Sequence, residues 1–170
     1  MIQYYLHGWM ASKITDKNKI FFQNFLKDYK QEDRILCIAF AKIDKTFTND
    51  TFQNMLWNFI DFPVESELAN LNHKILLEQI IKHKYIYIIW WDYNSLLNKV
   101  LFLKKYKTIF EWKIIAGSSA GANILSQISF SNDYQSITKW LWLLNIWTMC
   151  HFNNEWIWKK ILEENNKKLE

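Results

Sequence analysis

The residues best suited to chemistry lie in one small-residue segment, GSSAG at residues 117–121. It fits the pattern G-x-S-x-G, in which a serine sits in a strained turn between a strand and a helix. The residues KIIA before it and ANIL after it supply such a strand and such a helix. We therefore predict that Ser119 is a nucleophile and that the backbone N–H of Ala120 donates to an oxyanion. The alternative is a small-residue turn that only packs closely.

A serine nucleophile needs a base, and the chain has four histidines. His151 follows the apolar, strand-like segment LWLLNI and is the predicted base. His7 ends the first predicted strand, at the edge of the sheet where sites form, and is a candidate for binding substrate. His73 and His83 stand next to lysines on or just after a predicted helix, so we expect both to be solvated.

The base in turn needs a carboxylate that orients the imidazole ring. Asp133, in FSNDYQ, lies 14 residues after Ser119, and Glu155 lies four residues after His151. Spacing alone does not choose between these two acids.

Strands and helices alternate along the chain and must position these residues. The continuous apolar runs and the first segment predict strands at 2–6, 34–41, 85–90 and 113–118, with a short strand near Val64. Helical periodicity predicts helices at 16–29 (capped by Asp16), 49–60, 66–82, 94–109 and 120–128. Strands buried on both faces and separated by helices predict a three-layer α/β sandwich with a mostly parallel central sheet. Active sites in such sheets lie at the carboxyl ends of the strands.

The composition narrows the class of protein. A chain of 170 residues, half of them hydrophobic and 22% charged, is typical of a single soluble globular domain, 1–170. The net charge of +4 comes from scattered lysines, so we expect no nucleic-acid partner. Cys37 and Cys150 are too few for a disulfide framework and lack metal-binding spacing, and we expect no metal or cofactor.

The expected location is the cytoplasm. No apolar run approaches the roughly 20 residues that span a bilayer, and MIQYYLHG lacks the basic start of a signal peptide. The chain is therefore expected to have no membrane partner, and the assembly is expected to be a monomer or a homodimer.

Four segments together resemble a known family. The segments are AGSSAGANIL around Ser119, FSND a dozen residues later, LWLLNIWTMCHFNN around His151 and the turn after the strand 85–90. They follow the order of motifs in the dipeptidase E and cyanophycinase-like serine peptidases. The resemblance implies the flavodoxin-like architecture of the class I glutamine amidotransferases. It also implies a serine peptidase that hydrolyses small peptides, including aspartyl dipeptides. A glutamine amidotransferase would carry cysteine in place of Ser119.

The resemblance extends to single residues. It implies Ser119 as nucleophile, His151 as base and Asp133 as a residue needed for activity. The turn at residues 90–94, WWDYN, matches a glycine-rich turn of the family, so it implies an oxyanion role for the backbone at Trp90 and Trp91 and a substrate contact for Asn94. The family also uses a glutamate further along, and its members continue for another strand or two, so we expect this chain to lack those strands.

The tryptophans fall where the family has glycine. The chain has 10 tryptophans and 3 glycines, although average usage would give about 12 glycines. Our hypothesis is that many of these residues are UGA codons, read as glycine in some bacterial lineages and as tryptophan in another code. The strongest candidates are Trp9, Trp90, Trp91, Trp112, Trp140 and Trp142; Trp147 is a further candidate, and Trp57, Trp156 and Trp158 stay undecided.

Two other interpretations remain at this point. One is an inactive member of the family that kept the fold and uses its surface for binding. The other takes the tryptophans literally, as an aromatic platform for a carbohydrate or a membrane interface. If Trp90 and Trp91 are genuine, their rings are expected to block the oxyanion pocket and leave little activity.

Overall fold

The structure is a computed structural model that describes residues 2–8, 11, 13–40, 48–90, 99–131, 136–139, 141 and 143–150. Its main sheet has five strands, β1 (Gln3–His7), β2 (Ile35–Ile38), β3 (Ser66–Leu68), β4 (Tyr85–Trp90) and β5 (Ile114–Ser119). They are all parallel and lie in the order β1-β5-β4-β2-β3. The predicted α/β architecture with a mostly parallel central sheet is confirmed.

The described parts of the chain include five complete helical segments beside the sheet. They are α1 (Asp16–Phe25), α2 (Asn49–Trp57), α3 (His73–Lys82), a 3₁₀ segment (Leu101–Phe110) and α4 (Ala120–Leu125). Alternate residues of the central strands face two separate hydrophobic clusters. Leu36, Ile86 and Ile115 face α3, the 3₁₀ segment and α4. Cys37, Tyr87 and Ala116 face α1 and α2, so the sheet is the middle of three layers.

A second, smaller sheet follows α4. It consists of β6 (Ile128–Ser131), β7 (Ser136–Lys139) and β8 (Trp147–Met149), in the order β7-β6-β8. The pair β6–β7 is antiparallel and the pair β6–β8 is parallel. We had not predicted this sheet, which carries the chain back from α4 to the residue before His151.

Several helix predictions need correction, including 49–60, which ends at Trp57, and 120–128, which ends at Leu125 before β6 begins. Thr15, not Asp16, caps α1, because its Oγ1 accepts from the N–H of Asn18 at 3.2 Å, and α1 ends at Phe25. The helix predicted over 66–82 begins only at His73. Residues 66–68 instead pair with β2 at the sheet edge, and Asn72 caps α3 by accepting from the N–H groups of Lys74 and Ile75.

The segment predicted as a helix at 94–109 lies partly outside the described residues. Its second part is 3₁₀, with Tyr106 at the non-helical φ −120°, ψ 36°. Val100 at its start offers no side-chain cap, and Lys104 and Lys107 place like charges three residues apart. Both features disfavour a regular α-helix here.

Candidate active site

The turn between β5 and α4, here called the elbow, has a strained backbone at its central residue. Ser119 has φ 55° and ψ −123°, in the left-handed half of conformational space. Ser119 and Trp112 are the two non-glycine residues with positive φ in the part of the chain that the structure describes. Such a conformation costs about 1–3 kcal/mol and is typical of functional sites, where the surrounding structure enforces it. The turn therefore has the strain that the G-x-S-x-G pattern predicts.

Two glycines make this turn possible by allowing close contact. A Cβ on Gly117 would lie 2.7 Å from the carbonyl carbon of Gly121, and one on Gly121 would lie 2.8 Å from that of Ile88. Both distances are shorter than side chains tolerate, and both neighbours are backbone. The glycines therefore let α4 pack directly on β5 and β4, with Ser119 at its N-cap and Ala120 as its first residue.

The two serines of the elbow differ in their surroundings. Ser118 is buried, and its Oγ accepts from the hydroxyl of Tyr87 at 3.3 Å. Tyr87 is fully buried, and this burial raises the pKa of its phenol well above the usual value. Ser118 thus belongs to the core between the sheet and α1, whereas Ser119 is partly exposed. Of the two serines, Ser119 is the one accessible to solvent.

The carboxyl ends of three neighbouring strands meet at this elbow. Residue 90, the last of β4, pairs with Ser119, and His7, the last of β1, pairs with Ser118. This register brings together the backbone at residue 90, Ser119, Ala120 and His7. Trp91 and Asn94, which follow β4 in the sequence, lie outside the described residues.

His7 is placed at the predicted edge, and its ring packs on Phe21 of α1, with ring centroids 5.1 Å apart. Its Nδ1 is buried and has no hydrogen-bond partner within the described parts of the chain. A buried imidazole nitrogen without a partner is costly, and a polar substrate group would satisfy it. The role of His7 in substrate binding stays a prediction.

Cys150 brings the end of β8 to the elbow, a contact that sequence reasoning missed. Its Sγ lies 3.0 Å from the backbone oxygen of Ser119 and 3.2 Å from Oδ1 of Asn123 in α4. Burial raises the pKa of this thiol to about 12. The one signal in the sequence was its position directly before His151. His151, Asp133 and Glu155 themselves lie outside the described residues.

The expectation that His83 is solvated is wrong. Its side chain is 98% buried at the end of α3, just before β4 begins and therefore at the edge of the sheet opposite to the elbow. Nδ1 donates to the carbonyl of Gln79 at 2.8 Å, and Nε2 lies 3.2 Å from a carboxylate oxygen of Glu67. The residue is a structural link between α3 and β3. His73 is exposed, as expected, and stacks on Phe102.

We also searched the described residues for metal-binding clusters and membrane-spanning helices. Within the described ranges, no three His, Cys, Asp or Glu side chains lie close enough together to hold a metal ion. None of the described helices has the length and apolar character needed to cross a membrane.

Solved structures share this fold. One is a protein of Listeria monocytogenes EGD-e described as a peptidase E, with a TM-score of 0.67 and 19% identity, covering 96% of this chain and 87% of that one. Another is a peptidase from an acI-B1 Actinobacterium, with a TM-score of 0.60 and 18% identity, covering 91% of this chain and 70% of that one. No protein-family model matches the sequence, and no curated protein matches it either. At these identities the similarity establishes the fold, which is that of the two peptidases.

Proposed function

We propose that this chain is a serine peptidase that hydrolyses small peptides. The observation that carries the proposal is the backbone of Ser119, held at positive φ between β5 and α4 by the close approach of Gly117 and Gly121. A fold that merely needed a strand-to-helix turn would have no reason to keep a serine in this strained conformation. The likeness to two solved peptidases supports the same reaction class.

In the proposed mechanism, Ser119 Oγ attacks the carbonyl carbon of the scissile peptide bond. His151 takes the serine proton and returns it to the leaving amine, and water then hydrolyses the acyl-enzyme with His151 as base again. Asp133, or another acid of the chain, orients the imidazole. The N–H of Ala120 and the backbone at 90–91 hold the oxyanion, because residue 90 pairs directly with Ser119. The first substrates to test are dipeptides with an N-terminal aspartate.

A fluorophosphonate probe tests the nucleophile directly. The chain as printed and a version with glycine at 90 and 91 are incubated with the probe, and the labelled peptide is located by mass spectrometry. We expect labelling of Ser119 in the glycine version, none in Ser119→Ala, and retained labelling in Ser118→Ala, because Ser118 is buried against Tyr87. No labelling of the glycine version would instead favour an inactive protein that keeps the fold for binding.

We further propose that several tryptophans occupy glycine positions of the native protein. Trp112 supports this, because it stands in the turn before β5 with φ 65° and its side chain is 76% exposed. A bulky residue at positive φ is a conformational outlier, whereas glycine adopts such φ values freely. Trp112 was one of the six positions selected by sequence pattern alone.

The recoding proposal has a direct test in the native gene and its product. UGA codons at 90, 91 and 112, together with glycine masses in peptides from the native host, are the expected result. Ordinary UGG codons at 90 and 91 would end the proposal. In that case we expect the native chain itself to show little turnover, since two indole rings would stand beside Ser119 at the oxyanion site.

A further inference from the structure

The end of β8 is attached to α4 by side chains at alternate positions. Thr148 Oγ1 donates to Oγ of Ser126 at 3.0 Å, and Ser126 Oγ lies 2.6 Å from the carbonyl oxygen of Asn123. Ser126 is completely buried at the C-cap of α4. Two residues further along, Cys150 contacts the other end of the same helix. Residues 148–150 are therefore attached to both ends of α4.

The contact made by Cys150 is directional. Both of its partners, the backbone oxygen of Ser119 and Oδ1 of Asn123, are acceptors, so the thiol must be the donor. Cys150 is 7% exposed and Asn123 is 6% exposed, so water does not compete easily for this hydrogen bond. The link therefore joins residue 150 to the main chain of the proposed nucleophile itself.

We propose that Cys150 is a positioning residue that fixes the distance between the nucleophile and its base. The proposal rests on the proposed function, in which His151 is that base. Because His151 is covalently the next residue, a hydrogen bond from residue 150 to Ser119 restricts where the backbone of residue 151 can lie. The thiol acts on catalysis through this backbone and does not itself touch the substrate.

The nature of the side chain makes specific variants informative. Cys150→Ala removes the thiol, so the backbone oxygen of Ser119 and Oδ1 of Asn123 lose this hydrogen-bond donor. Serine keeps a hydroxyl donor, although the C–O bond is shorter than the C–S bond. Thr148→Val is the matched control: it removes a side-chain donor from the same strand and the same helix, but two residues further from position 151. Cys37→Ala controls for the loss of a buried thiol elsewhere.

The experiment measures kcat, KM and melting temperature for these variants, made in whichever full chain, as printed or with glycine at 90 and 91, hydrolyses an aspartyl dipeptide. We expect Cys150→Ala to lower kcat about tenfold to a hundredfold with KM within about twofold, because small displacements of a catalytic group have effects of this size. We expect Cys150→Ser to recover most of the loss. Thr148→Val and Cys37→Ala should change melting temperature without a comparable loss of kcat.

The outcomes separate this proposal from the one it rests on. If the parent chain hydrolyses the dipeptide and its Cys150→Ala variant has an equal kcat, the role of Cys150 is overturned. The peptidase proposal itself would then stand. Equal losses of kcat in Cys150→Ala and Thr148→Val at equal melting temperatures would also overturn the role of Cys150, since the effect would then be a general loosening of β8. If neither full chain hydrolyses peptides or reacts with the fluorophosphonate probe, the peptidase proposal fails first.

Discussion

Among single residues, the glycines of the elbow can be tested against a glycine elsewhere. A Cβ on Gly121 would meet the backbone of Ile88, whereas one on Gly8 would meet nothing within 4 Å. We expect Gly121→Ala to lower the free energy of unfolding by about 1–3 kcal/mol or more, because α4 must move away from β4. Gly8→Ala should change it by less than about 0.5 kcal/mol. Chemical denaturation of both variants measures the difference, and equal stabilities would contradict the close packing described for the elbow.

Trp112 offers the opposite experiment, a substitution that should stabilise. Trp112→Gly relieves a positive φ, and the exposed indole contributes little burial. We expect the free energy of unfolding to rise by about 1 kcal/mol. Trp57 is a matched control because it is also exposed, but it ends α2 in a helical conformation. There glycine should cost up to about 1 kcal/mol. A fall in the stability of Trp112→Gly would contradict the assignment of this position to glycine.

Ser119 and His83 show which features of single residues can be predicted from the sequence. The strained turn at Ser119 was predictable because its local geometry depends on neighbours within two residues, Gly117 and Gly121. The buried position of His83 was not predictable, because its contact with Glu67 joins the end of α3 to β3, 16 residues away in the sequence. Adjacent lysines suggested a solvated ring, yet Lys82 and Lys84 are exposed while the ring of His83 between them is buried. Local patterns therefore predicted the strained turn and failed for the buried polar contact.

Among the helices and strands, the start of α3 can be tested by its cap. Asn72 Oδ1 accepts from the N–H groups of Lys74 and Ile75 at 3.0 and 3.3 Å. We expect Asn72→Ala to cost about 1 kcal/mol of unfolding free energy. Asn54→Ala, an exposed position within α2, should be neutral or slightly stabilising because alanine favours helix. If Asn72→Ala were equally neutral in denaturation experiments, α3 would not begin at His73.

Three of the strands that sequence reasoning identified are buried on both faces, and the fourth, β1, is a partly buried edge strand. β2, β4 and β5 are continuous apolar runs, and β1 precedes a clear turn. The short strands were harder: Ser66–Leu68 is polar because it lies at the sheet edge, and β6, β7 and β8 have only three or four residues each. Such strands are defined by their partners, so no local periodicity marks them. The small sheet was missed for this reason, and with it the contact of Cys150 with Ser119.

The whole molecule is organised so that its central strands bury ionisable groups along with apolar ones. Cys37 and Tyr87 lie in the cluster that packs on α1 and α2, and Cys150 lies where the small sheet meets α4. Burial raises the pKa of all three groups, because the protein interior disfavours the thiolate and the phenolate. The three-layer packing that creates the site therefore also determines how the protein responds to alkaline pH.

We expect the protein to lose stability as the pH rises above about 8.5. In the unfolded chain the two thiols ionise near pH 8.5 and the phenol of Tyr87 near pH 10, while in the folded protein all three stay protonated to higher pH. The folded state then binds more protons than the unfolded state, so the free energy of unfolding falls as pH increases. Below about pH 8 both states are protonated at these groups, and their contribution is fully present.

The size of this effect can be isolated with one variant. Each group that is ionised only in the unfolded state contributes a slope of about 1.4 kcal/mol per pH unit. Urea denaturation under reducing conditions at intervals from pH 7 to 11 should show the slope steepen near pH 10. Tyr87→Phe keeps the ring that stacks on Phe52 but has no phenol to ionise. The fall of its unfolding free energy with pH above pH 10 should therefore be less steep by about 1.4 kcal/mol per pH unit, which corresponds to one proton. Parallel curves for the two proteins above pH 10 would mean that the phenol of Tyr87 ionises as readily in the folded protein as in the unfolded chain, against its burial beneath Ser118.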